Sequence, residues 1–112
     1  MSIETLERID IYRGKKKYVS LEWTDKNGKA FVLSSVTVEI FTADGKKKMP
    51  ATADPAVDDT TKLSSFTIDT NHSDYPNETR EYLVVVNIGV NAATKPEDAT
   101  RILPMTVRKA VQ

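Results

Sequence analysis

Glu81-Tyr82-Leu83-Val84-Val85-Val86-Asn87-Ile88-Gly89-Val90 is the most apolar stretch of the chain. With a period of two, Tyr82, Val84, Val86, Ile88 and Val90 share one face, and Leu83 and Val85 share the other. The β-branched content favours a strand over a helix. A strand that is apolar on both faces sits in the middle of a sheet, or has its second face covered by a neighbour or partner.

Working outward from this strand, residues 91–98 form a polar loop with Pro96. Residues 99–111 then alternate, with Arg101, Leu103, Met105 and Val107 on one face and Ile102, Pro104, Thr106 and Arg108 on the other. Proline cannot donate a ladder hydrogen bond, so Pro104 predicts an edge strand or a bulged one. Upstream, residues 71–79 hold Asn, Asp, Ser and Pro76 and read as a connection with one helical turn. Ser64, Phe66 and Ile68 mark a strand over 63–70. The polar residues 50–62, with Pro50, Pro55 and Asp58-Asp59, read as a loop or irregular crossover.

The first half carries the same two-residue period. Val19, Leu21 and Trp23 alternate with Tyr18, Ser20, Glu22 and Thr24, which predicts a half-buried strand. Asp25-Lys26-Asn27-Gly28-Lys29 reads as a hairpin turn into a second strand near residues 30–33. Val36, Val38 and Ile40 mark a further strand, closed by Ala43-Asp44-Gly45-Lys46. Lys46-Lys47-Lys48-Met49 reads as a short basic return strand at an edge, where lysines discourage pairing with other chains. Residues 3–9 have the spacing of one helical turn, and Ile9-Asp10-Ile11-Tyr12 reads as a strand ended by Arg13-Gly14. Seven or eight short strands with turn signals every 8–12 residues or so predict an antiparallel β-sandwich of immunoglobulin type, a single domain over 1–112.

Composition narrows the function. The chain has 112 residues, 16 Lys+Arg against 16 Asp+Glu, and no cysteine. A zero balance supplies no long-range field for nucleic acid or an acidic membrane. Without cysteine there is no disulfide framework, Cys-based zinc site or thiol nucleophile. No apolar run reaches the ~18 residues of a membrane span, and the polar start has no signal-peptide core. The expectation is a protein made in a cytosol and not addressed to a membrane.

Each candidate for chemistry has a plainer reading. His72 is the single histidine, and Asn71-His72-Ser73-Asp74 reads as an exposed loop with no relay partner. Asp54, Asp58 and Asp59 lack the spacing of a calcium loop and read as a solvated acidic loop; Asp69 and Asp74 carry the same low weight. Lys15-Lys16-Lys17 and Lys46-Lys47-Lys48 lack the interleaved aromatics of a nucleic-acid surface, since only Tyr12 and Tyr18 flank the first triplet. Residues 1–50 hold 10 Lys+Arg against 7 Asp+Glu and the remainder 6 against 9, an asymmetry that suits head-to-tail contacts. Asn71-His72-Ser73 and Asn77-Glu78-Thr79 fit the glycosylation acceptor pattern, which without a signal peptide marks only a polar loop. No glycine-rich phosphate loop is present.

Ile9-Asp10-Ile11-Tyr12-Arg13-Gly14, Val19-Ser20-Leu21-Glu22-Trp23-Thr24-Asp25-Lys26-Asn27-Gly28-Lys29 and Phe31-Val32-Leu33-Ser34-Ser35-Val36-Thr37-Val38-Glu39-Ile40 together resemble phage structural domains with an Ig-like fold. These include the N-terminal domain of siphophage upper baseplate proteins. Tyr82-Leu83-Val84-Val85-Val86 and Thr106-Val107 resemble the later strands of that family. Lys15 stands where the family has an acidic residue, and Leu33-Ser34-Ser35-Val36 lacks its turn glycine. The resemblance brings no catalytic or ligand residues. It implies a scaffolding or attachment module of a virion or prophage particle, made in the bacterial host cytoplasm.

The resulting expectation is a non-enzymatic structural or assembly protein of tail, baseplate, connector or capsid decoration, without a cofactor, metal, nucleic acid or membrane. Its partners are other virion proteins, itself as a homo-oligomer, or both. Two residue sets are the expected contacts: Leu83 and Val85 on the second face of the central strand, and Leu103, Met105 and Val107 on a terminal edge strand suited to β-augmentation. The alternative is a carbohydrate-binding sandwich, for which only Tyr12 and Tyr18 are expected to be exposed together.

Overall fold

Seven strands form in the computed structural model, which describes residues 8–24, 28, 30–49, 53–71, 74–91 and 100–110. They are β1 (Ile9–Tyr12), β2 (Lys16–Glu22), β3 (Val32–Thr42), β4 (Ala53–Asp58), β5 (Leu63–Asp69), β6 (Arg80–Asn91) and β7 (Thr100–Arg108). One sheet has the order β1-β7-β6-β3 and the other β2-β5-β4. Lettered in chain order, these are A-G-F-C and B-E-D: the immunoglobulin order with the first strand moved to the opposite sheet. All pairings are antiparallel except β1 with β7, which run parallel.

The inner faces meet in one core. Phe66, Ile68, Val84, Val86, Ile9 and Met105 are fully buried within it. Trp23 lies there too, as its shared face with Val19 and Leu21 requires. Its indole N–H donates to the buried Ser64 hydroxyl at 2.8 Å, and the Arg101 guanidinium stands 4.8 Å above its ring. The Thr70 hydroxyl is also fully buried. It accepts from the Lys15 N–H at 3.1 Å and lies 3.0 Å from the Tyr12 carbonyl, fastening the β1–β2 turn to the end of β5. Gly14, at φ +89°, makes that turn possible.

Several expectations are corrected. Asp25-Lys26-Asn27-Gly28-Lys29 does not join a hairpin: β2 pairs with β5 and β3 with β6, so the chain crosses between sheets there. Residues 25–27 and 29 are themselves outside the described residues. The short strand expected at 30–33 is the start of the 11-residue β3, which absorbs a bulge between Leu33 and Ser35. Opposite that bulge is Gly89, where a Cβ would meet the Ser35 Oγ at 2.3 Å, so a side chain there requires the Ser35 hydroxyl to turn away.

The loop expected over 50–62 contains β4. Pro55 hid it, because Asp54-Pro55 falls in a register shift between Ala53 and Ala56, with Asp54 at φ +54°. An edge strand tolerates proline at such a bulge. Lastly, β7 is not an edge strand, since β1 pairs along Met105 to Arg108. Pro104 sits opposite Leu83 one step before that pairing starts, where the flank away from β6 has no ladder partner among the described residues.

The basic return strand at 46–49 is reduced to a bridge between Phe41 and Lys48, with Met49 buried. No helix occurs among the described residues, and the connection at 71–79 is irregular where described. The helical turn expected at 3–9 falls largely on residues outside the described set.

Tyr75 packs edge-on against Tyr82, with ring centroids 5.4 Å apart, and is almost fully buried. Burial, followed by the nearby Tyr82, Asp69 and Asp74, pushes its hydroxyl well above its ordinary pKa of 10.0. A folded pKa raised above the unfolded value contributes stability that is complete below the unfolded pKa and is lost as pH rises. The midpoint of thermal unfolding is therefore expected to fall above about pH 10. Tyr75→Phe should flatten that alkaline decline; an unchanged decline in thermal scans between pH 8 and 11 would show that Tyr75 does not cause it.

Candidate functional site

The outer face of the four-stranded sheet carries the candidate site. Strand register alone brings its residues together. Phe41 on β3, Leu83 on β6 and Pro104 on β7 lie in one cross-strand row, and Glu39, Val85 and Ile102 lie in the next. Directly opposed residues in such rows have Cβ atoms about 4.5–5.5 Å apart. The five apolar members form one continuous patch. Ile102 is 60% exposed, and Phe41, Leu83, Val85 and Pro104 are half-buried.

Polar groups frame the patch, and they satisfy one another. Toward β1, the Arg8 guanidinium donates to Glu81 at 3.2 Å and also to the Thr106 hydroxyl, which donates to Glu81 at 2.8 Å. Beyond them Arg108 and Asp10 form a bidentate pair at 2.8 and 2.9 Å. This hydrogen-bonded guanidinium holds the Asp10 carboxyl below its ordinary range. On the β3 side, Lys48 pairs with Glu39 at 3.1 Å. The next row is Thr37, Asn87 and Thr100, with the Thr100 hydroxyl donating to the Asn87 side chain at 2.5 Å. The face thus presents an apolar centre and a rim with its charges internally paired. It suits a protein surface better than a charged ligand.

The expected contact residues divide. Leu83 and Val85 stand at the centre of the patch. Leu103, Met105 and Val107 do not: they are on the inner face of β7, at most 5% exposed, and belong to the core. Nor does β7 offer a free edge at Met105 and Val107, because β1 occupies it. Ile102 and Pro104, the other face of the same strand, take their place. Phe41 was not singled out from the sequence, because Ile40-Phe41-Thr42 breaks the simple alternation of the preceding residues. The signal that would have found these residues is parity relative to Leu83 once the strand register is known.

Other candidates have structural roles. Asp58 accepts from the Thr60 backbone N–H at 2.9 Å and closes the turn after β4. Asp59 accepts from the Leu33 N–H at 2.7 Å and from Lys62, tying that turn to β3 in the other sheet. Lys62, followed by the Leu33 N–H, holds the Asp59 carboxyl below its ordinary range. Lys62 completes the tie by donating to the Phe31 carbonyl at 2.7 Å. Asp69 accepts from the Asn71 N–H at 2.9 Å, and Asp54 lies in the β4 bulge. Among the described residues no group of three or more His, Cys, Asp or Glu is placed to hold a metal ion. His72 lies outside the described residues.

Tyr12 and Tyr18 are 47% and 67% exposed, but they stand on the outer faces of opposite sheets and form no shared platform. Among the described residues no helix is long and apolar enough to cross a membrane. No protein-family model matches the chain, and no curated protein matches it.

Proposed function

We propose that this chain is a non-enzymatic structural or assembly protein of a phage or prophage particle, in the tail, baseplate, connector or capsid decoration. It acts through protein–protein contacts on the outer face of the four-stranded sheet. The observation that carries this reading is the patch of Phe41, Leu83, Val85, Ile102 and Pro104, set inside a rim of paired charges. Ringed apolar patches on soluble domains mark contact surfaces. The resemblance of the Ile9–Tyr12 strand and of the stretches that follow it to phage Ig-like domains supports placing the partner in a virion.

Sedimentation tests the reading. The tagged chain, expressed during particle production, is expected to travel with assembled particles through a density gradient. Ile102→Glu should remain at the top of the gradient as a folded protein, since a charge in the patch must be desolvated without a partner. Wild-type chain left at the top, or the variant travelling with the particles at full occupancy, would refute the proposal.

A further inference from the structure

The ladder between β2 and β5 fixes which backbone groups of β2 are already used. The Trp23 N–H donates to the Lys62 carbonyl at 2.9 Å, and the Thr70 N–H donates to the Lys15 carbonyl at 3.1 Å. Hydrogen-bonded and non-hydrogen-bonded pairs alternate along an antiparallel ladder. Lys15, Lys17, Val19, Leu21 and Trp23 therefore turn their backbone groups toward β5. Lys16, Tyr18, Ser20 and Glu22 aim theirs at the opposite flank, where no strand lies among the described residues.

A second copy fits this flank in one register. Outward groups must meet outward groups, so even-numbered residues must pair with even-numbered ones. A two-fold axis at Tyr18 would set Lys16 opposite Ser20 and Glu22 beside the β1–β2 turn. An axis at Ser20 would set Lys16 opposite Thr24 and Tyr18 opposite Glu22. An axis at Val19 sets Lys16 of each copy opposite Glu22 of the other, and Tyr18 opposite Ser20. Only this register matches charge with charge, and it does so twice because the interface is isologous.

We propose that β2 pairs antiparallel with β2 of a second copy of this chain about a two-fold axis at Val19, joining two three-stranded sheets into one of six. Pairing through these residues adds about eight ladder hydrogen bonds. The register explains the exposure of Tyr18, at 67%, which lies diagonally across from its symmetry mate. Lys17 does not oppose the union, since its ammonium turns to the Asp10 carbonyl of its own chain, 3.4 Å away. Lys16, whose ammonium lies 3.9 Å from Asp69 of its own chain and stays largely exposed, gains Glu22 of the second copy in this register and no acidic partner in the other two.

Sedimentation equilibrium of the full chain tests the proposal independently of any virion partner. The wild type is expected to reach twice its 12.5 kDa mass at high concentration. Ser20→Pro removes an outward N–H and leaves the bonds to β5 intact, so it should give a folded monomer whose melting temperature matches the wild type at dilutions where the wild type is also monomeric. Lys16→Glu and Glu22→Lys should each weaken the dimer about tenfold or more, since each clash occurs twice, and the double swap should restore it. A wild type that stays monomeric overturns the proposal. So does a dimer that survives the single charge swaps, a double swap that fails to restore association, or a dimer lost in Val85→Glu and kept in Ser20→Pro.

Discussion

Trp23→Ala is expected to leave the chain largely unfolded at room temperature. Truncating a buried aromatic typically costs about 3–5 kcal/mol, and a domain of this size holds roughly 5–15 kcal/mol in all. Two local losses add to the cavity. The buried Ser64 hydroxyl loses the indole N–H that donates to it at 2.8 Å, and an unsatisfied buried polar group costs about 1–3 kcal/mol. Arg101 loses the ring beneath its guanidinium, and its buried Nη1 already has no hydrogen-bond partner among the described residues. Urea titration followed by far-UV circular dichroism measures the effect. A variant within 1 kcal/mol or so of wild type would show that Trp23 does not anchor the core.

The second large effect is a contrast between adjacent residues of β6. Val84 is fully buried on the inner face, while Val85 lies in the outer patch. Val84→Glu buries a carboxylate with no cation beside it, which costs several kcal/mol, and should abolish folding. Val85→Glu puts the same group where water reaches it and should fold with wild-type secondary structure, but without binding at the outer face. Thermal melts of the pair decide the matter. If Val85→Glu unfolds as Val84→Glu does, that face is covered by the chain itself and is not a docking surface.

The strand of residues 80–91 was legible because its apolar positions are numerous and their period is two. The same holds for the strand carrying Phe66 and Ile68, whose burial alternates without a break. β4 was not legible: one half-buried apolar residue, Val57, gives no periodicity, and its bulge falls on a proline. Sheet partnership was not legible either. Asn27-Gly28 has the chemistry of a hairpin turn, but β2 and β3 belong to different sheets, and β3 packs across the sandwich on β4 and β5. That difference depends on contacts far apart in sequence.

The candidate site shows the same division. Leu83 and Val85 stood out as apolar residues on the second face of a strand. Leu103, Met105 and Val107 are not contact residues because Pro104 marks no edge beyond itself: β1 begins its pairing one residue later, at Met105. The apolar alternation of β7 therefore points into the core, and Ile102 and Pro104 face outward.

The chain has no cysteine, so a single Ile102→Cys substitution places one reactive thiol on the outer patch. Its rate of maleimide labelling, compared between the free chain and the assembled particle, tests the central claim most directly. The account predicts rapid labelling of the free chain, as the 60% exposure of Ile102 implies, and strong protection in the particle. Equal labelling in both states would contradict it.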